Sequence, residues 1–121
     1  MRRPDYHRAR LREQIREEVA EMIAGELKDP RIGLVTVTAL ELSLDLRRVR
    51  VLVSVLGDAS AQSKTLEGLS SATGYIRREV GRRLRLRRAP EFVFALDPGA
   101  ENSARVETLL QEISEESAGE G

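Results

Sequence analysis

The spacing of apolar residues divides the chain into helical and strand-like segments. From about Asp5 to Leu27 apolar residues recur every three or four positions, which predicts one long amphipathic helix. Asp5 is suited to cap its start, and Asp29-Pro30 ends the segment. Its apolar stripe consists of Leu11, Ile15, Val19, Met22, Ile23 and Leu27.

Two strands are predicted next, because β-branched residues and alternation replace the helical spacing. The first spans Ile32 to Leu42, with Val35, Val37 and Ala39 on one face. The second spans Arg48 to Leu56 and alternates more cleanly. Residues 43–47 join the two strands, so the sequence predicts an antiparallel hairpin.

A second pair of helices and a third strand follow the hairpin. A helix is predicted from about Ser60 to Ser71, and the small residues Ala72-Thr73-Gly74 interrupt it. An arginine-rich helix with the apolar stripe Ile76, Val80 and Leu84 comes next. The strand Phe92 to Leu96 completes an α-β-β-α-α-β order, and we assign its two phenylalanines to the core. This order is similar to that of KH-type RNA-binding modules, in which a glycine-containing break lets nucleic acid approach the chain.

Beyond Leu96 the pattern predicts one more helix, capped by Asn102 or Ser103. Its apolar residues are Val106, Leu109, Leu110 and Ile113. We therefore expect a single domain over residues 1–113 and a flexible acidic tail over residues 114–121.

The arginines after the interruption are the main functional signal. On a helical wheel Arg78, Arg82 and Arg85 fall opposite the apolar stripe. A solvated face is the ordinary explanation of such a charge run. However, only Glu79 interrupts the arginines, so we expect ion pairs to leave them free for RNA phosphates. We also expect Gly74 to adopt a backbone angle that other residues disfavour, or to allow close helix packing.

A second arginine stripe, Arg8, Arg12 and Arg16, lies on the first helix. The sequence leaves two interpretations of it equally open, a solvated edge and a second RNA-binding patch.

Charge and composition narrow the possible functions. The net charge is zero, but residues 1–16 and 70–96 are strongly basic, and local basic surface decides affinity for nucleic acid. The chain has no cysteine and one histidine, which excludes disulfides and a cysteine-based zinc site. No nucleotide-binding loop or nucleophile motif is present, so we expect no enzyme activity, cofactor or metal. A basic start without an apolar segment leads us to expect a cytoplasmic protein that does not enter membranes.

Four short segments, taken in their order along the chain, make it resemble bacterial ribosome-binding factor A over nearly its whole length. The segments are Asp29-Pro30-Arg31; Ser43-Leu44-Asp45-Leu46-Arg47 with residues 51–57; Ala72-Thr73-Gly74-Tyr75-Ile76-Arg77-Arg78; and Leu84-Arg85-Leu86-Arg87 with Pro90-Glu91-Phe92 and Phe94. Each segment is weak evidence alone, but their order and spacing together are specific.

The resemblance implies an α+β, type-II KH-like fold in which Ala72-Thr73-Gly74 replaces the usual glycine-rich loop. It also implies a monomeric, non-catalytic assembly factor that binds the immature small (30S) ribosomal subunit, assists late maturation of its 16S ribosomal RNA and supports cold adaptation. The candidate RNA-binding residues are Ala72, Thr73, Gly74, Arg77, Arg78, Arg82, Arg85, Arg87, Arg88, Arg8 and Arg12.

Three other functions compete with this one. The nearest is a general KH-type RNA-binding adaptor that is not tied to the ribosome. A metal-dependent nuclease would need clustered carboxylates, which the sequence lacks. A protein–protein adaptor would need an exposed apolar stripe, whereas one core accounts for the predicted stripes.

Overall fold

The computed structural model describes residues 3–100, and the side chains from residue 6 to residue 99. Its elements follow the predicted α-β-β-α-α-β order. They are α1 (Arg3–Gly25), β1 (Val35–Leu42), β2 (Arg48–Val55), α2 (Ala59–Ser71), α3 (Thr73–Arg83), β3 (Glu91–Leu96) and a 3-10 turn (Pro98–Ala100). The predicted C-terminal helix and acidic tail lie outside the described residues. None of the helices between residues 3 and 100 is both long and apolar enough to span a bilayer.

The three strands form one sheet in the order β1-β2-β3. β1 and β2 pair antiparallel, which confirms the predicted hairpin. β3 pairs with β2 in parallel, so that Arg48 lies opposite Glu91 and Val49 lies opposite Phe92. The starts of β2 and β3 therefore meet at the same end of the sheet.

β1 begins later than predicted and is interrupted by a bulge. Its register with β2 shifts between Val37 and Ala39. Because a bulge inserts one residue, the inward-facing positions change from odd to even numbers along the strand. Leu40 and Leu42 are consequently the buried residues of β1, and the prediction of one continuous face through Ala39 was wrong.

The helices pack on one face of this sheet and form a single core. β2 is buried at every second residue from Val49 to Val55, as its alternation predicts. The other core residues are Ile15, Val19, Met22, Leu40, Leu42, Leu69, Ile76, Val80 and Phe92. Phe94 is half-buried and packs against them, so both phenylalanines are core residues as predicted.

Only one residue, Ala72, separates α2 from α3. Its amide donates to Leu69 O (3.0 Å), and its carbonyl accepts from the Ile76 amide (2.9 Å). Ala72 thus ends one helix and begins the next. Gly74 does not have the predicted role: a Cβ there would meet nothing within 4 Å, and its φ is not left-handed. Neither backbone strain nor helix packing requires glycine at this position.

The loop after α1 docks on α2 through Gly68 and its helical neighbours. The Gly33 amide donates to Thr65 Oγ1 (3.0 Å), and Arg31 Nη2 donates to Ser71 Oγ (3.0 Å). Between them, a Cβ on Gly68 would lie 2.7 Å from Ile32 Cγ1. Close approach, rather than an unusual φ, therefore requires glycine at position 68.

Asp29 fixes the orientation of the Arg31 side chain that contacts α2. Arg31 Nε and Nη2 both donate to the Asp29 carboxylate, at 3.0 and 2.6 Å. These bonds and the Arg31 amide lower the pKa of Asp29 to about 2. The Asp-Pro-Arg segment thus has a structural role in positioning the loop on α2.

Candidate nucleic-acid interface

Three adjoining depressions that share Arg77 lie at the end of the sheet where β2 and β3 begin. One part lies between the hairpin turn and the loop that precedes β3, and two adjoining parts extend along α3. Arg77 lines all three parts, Gly74 lines two, and Ala89 lines two. We call this surface the basic groove. Its lining residues are Ser43, Asp45, Arg47, Arg48, Thr73, Gly74, Arg77, Arg78, Gly81, Arg88, Ala89, Glu91 and Phe92.

Hydrogen bonds to two backbone carbonyls hold the walls of the groove together. The Glu91 amide donates to Arg47 O (2.8 Å), which ties β3 to the hairpin turn. On the other side, Arg77 Nε donates to Ala89 O (3.2 Å), which ties α3 to the loop before β3. Arg77 therefore both lines the groove and fixes its shape.

Positive charge dominates the groove. Among the described residues, no carboxylate lies within 4.0 Å of the guanidinium groups of five of its arginines. These are Arg47, Arg48, Arg77, Arg78 and Arg88. Asp45 accepts from Ser43 Oγ (2.7 Å) and from the Arg47 amide (3.0 Å), so its charge is already engaged. These bonds, led by the Ser43 hydroxyl, lower the pKa of Asp45.

The N-terminus of α3 opens into the groove at Gly74. The first helical hydrogen bond of α3 runs from the Ile76 amide to Ala72 O. The amides of residues 73–75 come before it and have no carbonyl acceptor within α3. Such amides favour anions. Since Gly74 is exposed and its missing side chain leaves open space, a phosphate backbone could approach here closely.

Several predicted residues meet at this groove, namely Thr73, Gly74, Arg77, Arg78 and Arg88. Ala72 lies directly beside them as the cap between the helices. Arg87 and Arg88 line a second depression behind the hairpin turn, together with Leu46. Their contact with RNA stays a prediction.

Arg85 is not on α3 as predicted, because the helix ends at Arg83. Arg85 has a left-handed φ of 54°. Its amide donates to Arg82 O (3.3 Å) and the Leu86 amide donates to Gly81 O (2.9 Å), the Schellman pattern of a helix C-terminus. Glycine usually occupies the left-handed position of that pattern. Because arginine occupies it here, the sequence has no glycine to mark the end of the helix.

The expectation that ion pairs leave the α3 arginines free was wrong for two of them. Arg82 Nη2 pairs with Glu79 Oε1 (2.6 Å), and Arg83 Nε pairs with the same oxygen (3.1 Å). Arg83 also binds Glu26 through Nη1 (3.0 Å) and Nη2 (2.7 Å). A further contact joins it to Glu18 (3.3 Å). Arg83 therefore links α3 to the end of α1.

We name this set of charges the Arg83 cluster; it consists of Arg83, Glu18, Glu26 and Glu79, with Tyr75 hydrogen-bonded to it. The Tyr75 hydroxyl donates to Glu26 Oε1 (2.6 Å). The bonds from Arg83, and then from Tyr75, lower the pKa of Glu26. Its bond to Glu26 raises the pKa of Tyr75 in turn.

The lowered pKa of Glu26 predicts a dependence of stability on acid. The ion pair of Glu26 with Arg83 stabilises the folded state fully above the pKa that Glu26 has in the unfolded chain. This stabilisation is lost as pH falls through the lower pKa that Glu26 has in the folded protein. We expect Glu26→Gln to lower the thermal midpoint at pH 7 and to reduce its acid dependence below about pH 5. Thermal unfolding from pH 7 to pH 3 would measure this. Glu21→Gln, an exposed change near the end of α1, is the control, and equal pH profiles for the two variants would contradict the expectation.

The arginine stripe of α1 divides into three roles. Arg8 is half-buried, and its Nη2 donates to the carbonyl oxygens of Leu42 and Ser43, so it supports the hairpin turn. Arg16 pairs with Glu13 on its own helix. Arg12 is exposed, and no salt bridge within the described residues engages it. RNA contacts by Arg8 and Arg12 remain predictions, with Arg12 the freer of the two.

Sequence reasoning missed Arg47 and Arg48, which line the groove opposite Arg77. The sequence pattern alone places both in the hairpin. The adjacent arginines at a turn were the available signal, but only the parallel pairing of β3 with β2 brings that turn beside α3.

The fold places the protein in a known structural class. The order α-β-β-α-α-β, the single-residue junction between α2 and α3, and a three-stranded sheet with one parallel pair form a type-II KH-like α+β fold. A model of the family described as ribosome-binding factor A matches residues 7–110. The chain belongs to the ribosome-binding factor A family.

Individual relatives agree with this assignment. Ribosome-binding factor A of Caldanaerobacter subterraneus subsp. tengcongensis is 42% identical over 117 residues, which cover 96% of each chain. The solution structure of a Thermotoga maritima protein, described as a putative ribosome-binding factor A, is 38% identical with a TM-score of 0.67, and the match covers 78% of this chain and 90% of that one. A Thermus thermophilus ribosome-binding factor A model, fitted into a cryo-EM map of its 30S complex, is 33% identical with a TM-score of 0.62, covering 76% and 96%.

Proposed function

We propose that this protein is a non-catalytic assembly factor that binds the immature small ribosomal subunit and assists the late maturation of its 16S ribosomal RNA. The observation that carries the proposal is the basic groove, whose arginines project from three separate elements without carboxylate partners among the described residues. The Thermus relative in a 30S complex supports the small subunit as the partner.

The groove is suited to the RNA backbone rather than to a small substrate. Its arginines can each contact a phosphate, while Gly74 and the amides at the start of α3 leave room for the backbone itself. Such contacts position RNA without reading its sequence. Ribosomal RNA that is already folded would then supply specificity through its shape.

Binding at such a surface could assist maturation without chemistry. A protein that binds one conformation of the RNA more tightly than another shifts the population toward it. We infer that the factor favours a maturing conformation of the small-subunit RNA in this way and acts as a monomer.

We expect the purified protein to co-sediment with immature small subunits and to leave their RNA intact. Binding should weaken as salt increases, because phosphate contacts release counterions. Sedimentation at several salt concentrations, with gel analysis of the RNA, tests both expectations. Equal binding to unrelated structured RNA would instead favour a general RNA-binding adaptor. RNA cleavage abolished by a carboxylate substitution would overturn the non-catalytic assignment.

A further inference from the structure

The tip of the β1–β2 hairpin presents an apolar side chain that the fold does not use. Leu44 is 87% exposed. Leu46, two residues later, is 39% exposed and lines the depression behind the turn with Leu11 and Leu86. Leu46 therefore faces back toward the protein, whereas Leu44 projects into solvent.

The turn that carries Leu44 is held rigidly. Ser43 Oγ accepts from the Arg48 amide (3.0 Å) and donates to Asp45 Oδ1 (2.7 Å). Leu46 has a left-handed φ of 63°, a conformation that costs free energy for a residue other than glycine. Arg8 holds the turn from beneath, at the carbonyl oxygens of Leu42 and Ser43. The backbone of such a turn loses little further freedom on binding.

The charges around the turn indicate what Leu44 contacts. A single exposed leucine needs no explanation in general. This one, however, sits on a turn between two basic depressions that share Asp45, Arg47 and Arg88. Arg48 and Arg77 also line the first depression, and Arg87 also lines the second. A partner that covers this tip must offer negative charge around an apolar surface. RNA with an unstacked base does so, since phosphates surround the flat face of the base.

We propose that Leu44 is an apolar wedge that packs against an unstacked base of the RNA held in the basic groove. The proposal rests on the proposed function, because it presupposes RNA in that groove. It adds a contact that does not depend on charge. The arginines on either side of the turn position the phosphates, and the rigid turn places Leu44 against the base.

The effect of Leu44 on affinity can be separated from that of the arginines by salt. We expect Leu44→Ala to weaken binding to small subunits about tenfold without changing the salt dependence of affinity, because it removes apolar burial. Leu44→Phe should restore or improve affinity, since an aromatic ring stacks on a base. Arg48→Ala should instead make the salt dependence less steep by about one log unit per log unit of salt. Leu56→Ala, which alters a 72% exposed leucine at the opposite end of the sheet, should change nothing.

Photocrosslinking identifies the partner of the tip directly. With p-benzoylphenylalanine in place of Leu44, the bound protein should crosslink to ribosomal RNA, and in place of Leu56 it should not. A crosslink from position 44 to a ribosomal protein would overturn the RNA wedge, as would unchanged affinity of Leu44→Ala. In both cases normal salt-dependent binding of the wild type would leave the proposed function intact. If the wild type does not bind small subunits, both proposals are wrong.

Discussion

Replacing Arg78 and Arg88 together by glutamate is expected to reduce small-subunit affinity about 100-fold at moderate salt, because each charged contact contributes roughly a factor of ten or more. The dependence of affinity on salt should also become less steep by about two log units per log unit of salt. Both residues are exposed and make no salt bridge within residues 6–99, so the thermal midpoint should change by no more than about 2 °C. Sedimentation across a salt series and thermal unfolding measure the two effects.

The control is a double charge reversal away from the groove. Arg16→Glu with Arg50→Glu changes the net charge by the same amount, and both arginines pair with exposed glutamates outside the groove. This variant should keep most of its affinity. An equal loss in both variants would mean that overall charge, rather than the basic groove, attracts the subunit. Wild-type affinity in Arg78→Glu with Arg88→Glu would show that the groove is a solvated surface.

Gly68→Ala should destabilise the fold by about 1–2 kcal/mol, because overpacking outweighs the gain in helix propensity. The new Cβ would lie 2.7 Å from Ile32 Cγ1 and 3.4 Å from Arg31 Cβ. Both neighbours belong to the loop docked on α2, so the loop or the helix must shift. For a domain near this size, we expect the thermal midpoint to fall by roughly 5–10 °C.

Gly74→Ala is the matched control, since it makes the same chemical change in the next helix. A Cβ at position 74 meets nothing within 4 Å, so stability should be unchanged or raised by up to about 1 kcal/mol. The same methyl group narrows the open end of the basic groove, so small-subunit affinity should fall in Gly74→Ala. Equal changes in thermal midpoint for the two glycine variants would contradict the packing argument.

Local periodicity was sufficient to predict the elements whose two faces differ. The apolar stripe of α1 and the alternation of β2 each allow only one orientation toward the core, and both predictions are confirmed. β1 differs because apolar residues occupy both parities, with Val35 and Val37 before the bulge and Leu40 and Leu42 after it. Its register is set by pairing with β2, which no local pattern encodes.

The candidate site was harder to predict because it depends on contacts between distant elements. Arg77, Arg78 and Arg88 could be proposed from the basic run alone, and the structure places them in one groove. Two of the partners of Arg83, by contrast, come from α1 and the turn after it, and Arg47 and Arg48 reach the groove only through the parallel sheet pairing. Sequence spacing identifies which arginines share a helix face but not which of them another helix neutralises.

The parallel pairing of β2 with β3 also determines when the groove forms during folding. The β1–β2 hairpin closes over a short turn, so it can form early. The pairing of Arg48 with Glu91 must wait until α2 and α3 have crossed over, and such long-range contacts form slowly. A chain that has left the ribosome only as far as the hairpin exposes Arg47 and Arg48 but has no groove. The basic groove is therefore complete only after residues 72–96 have been synthesised and have folded onto the hairpin.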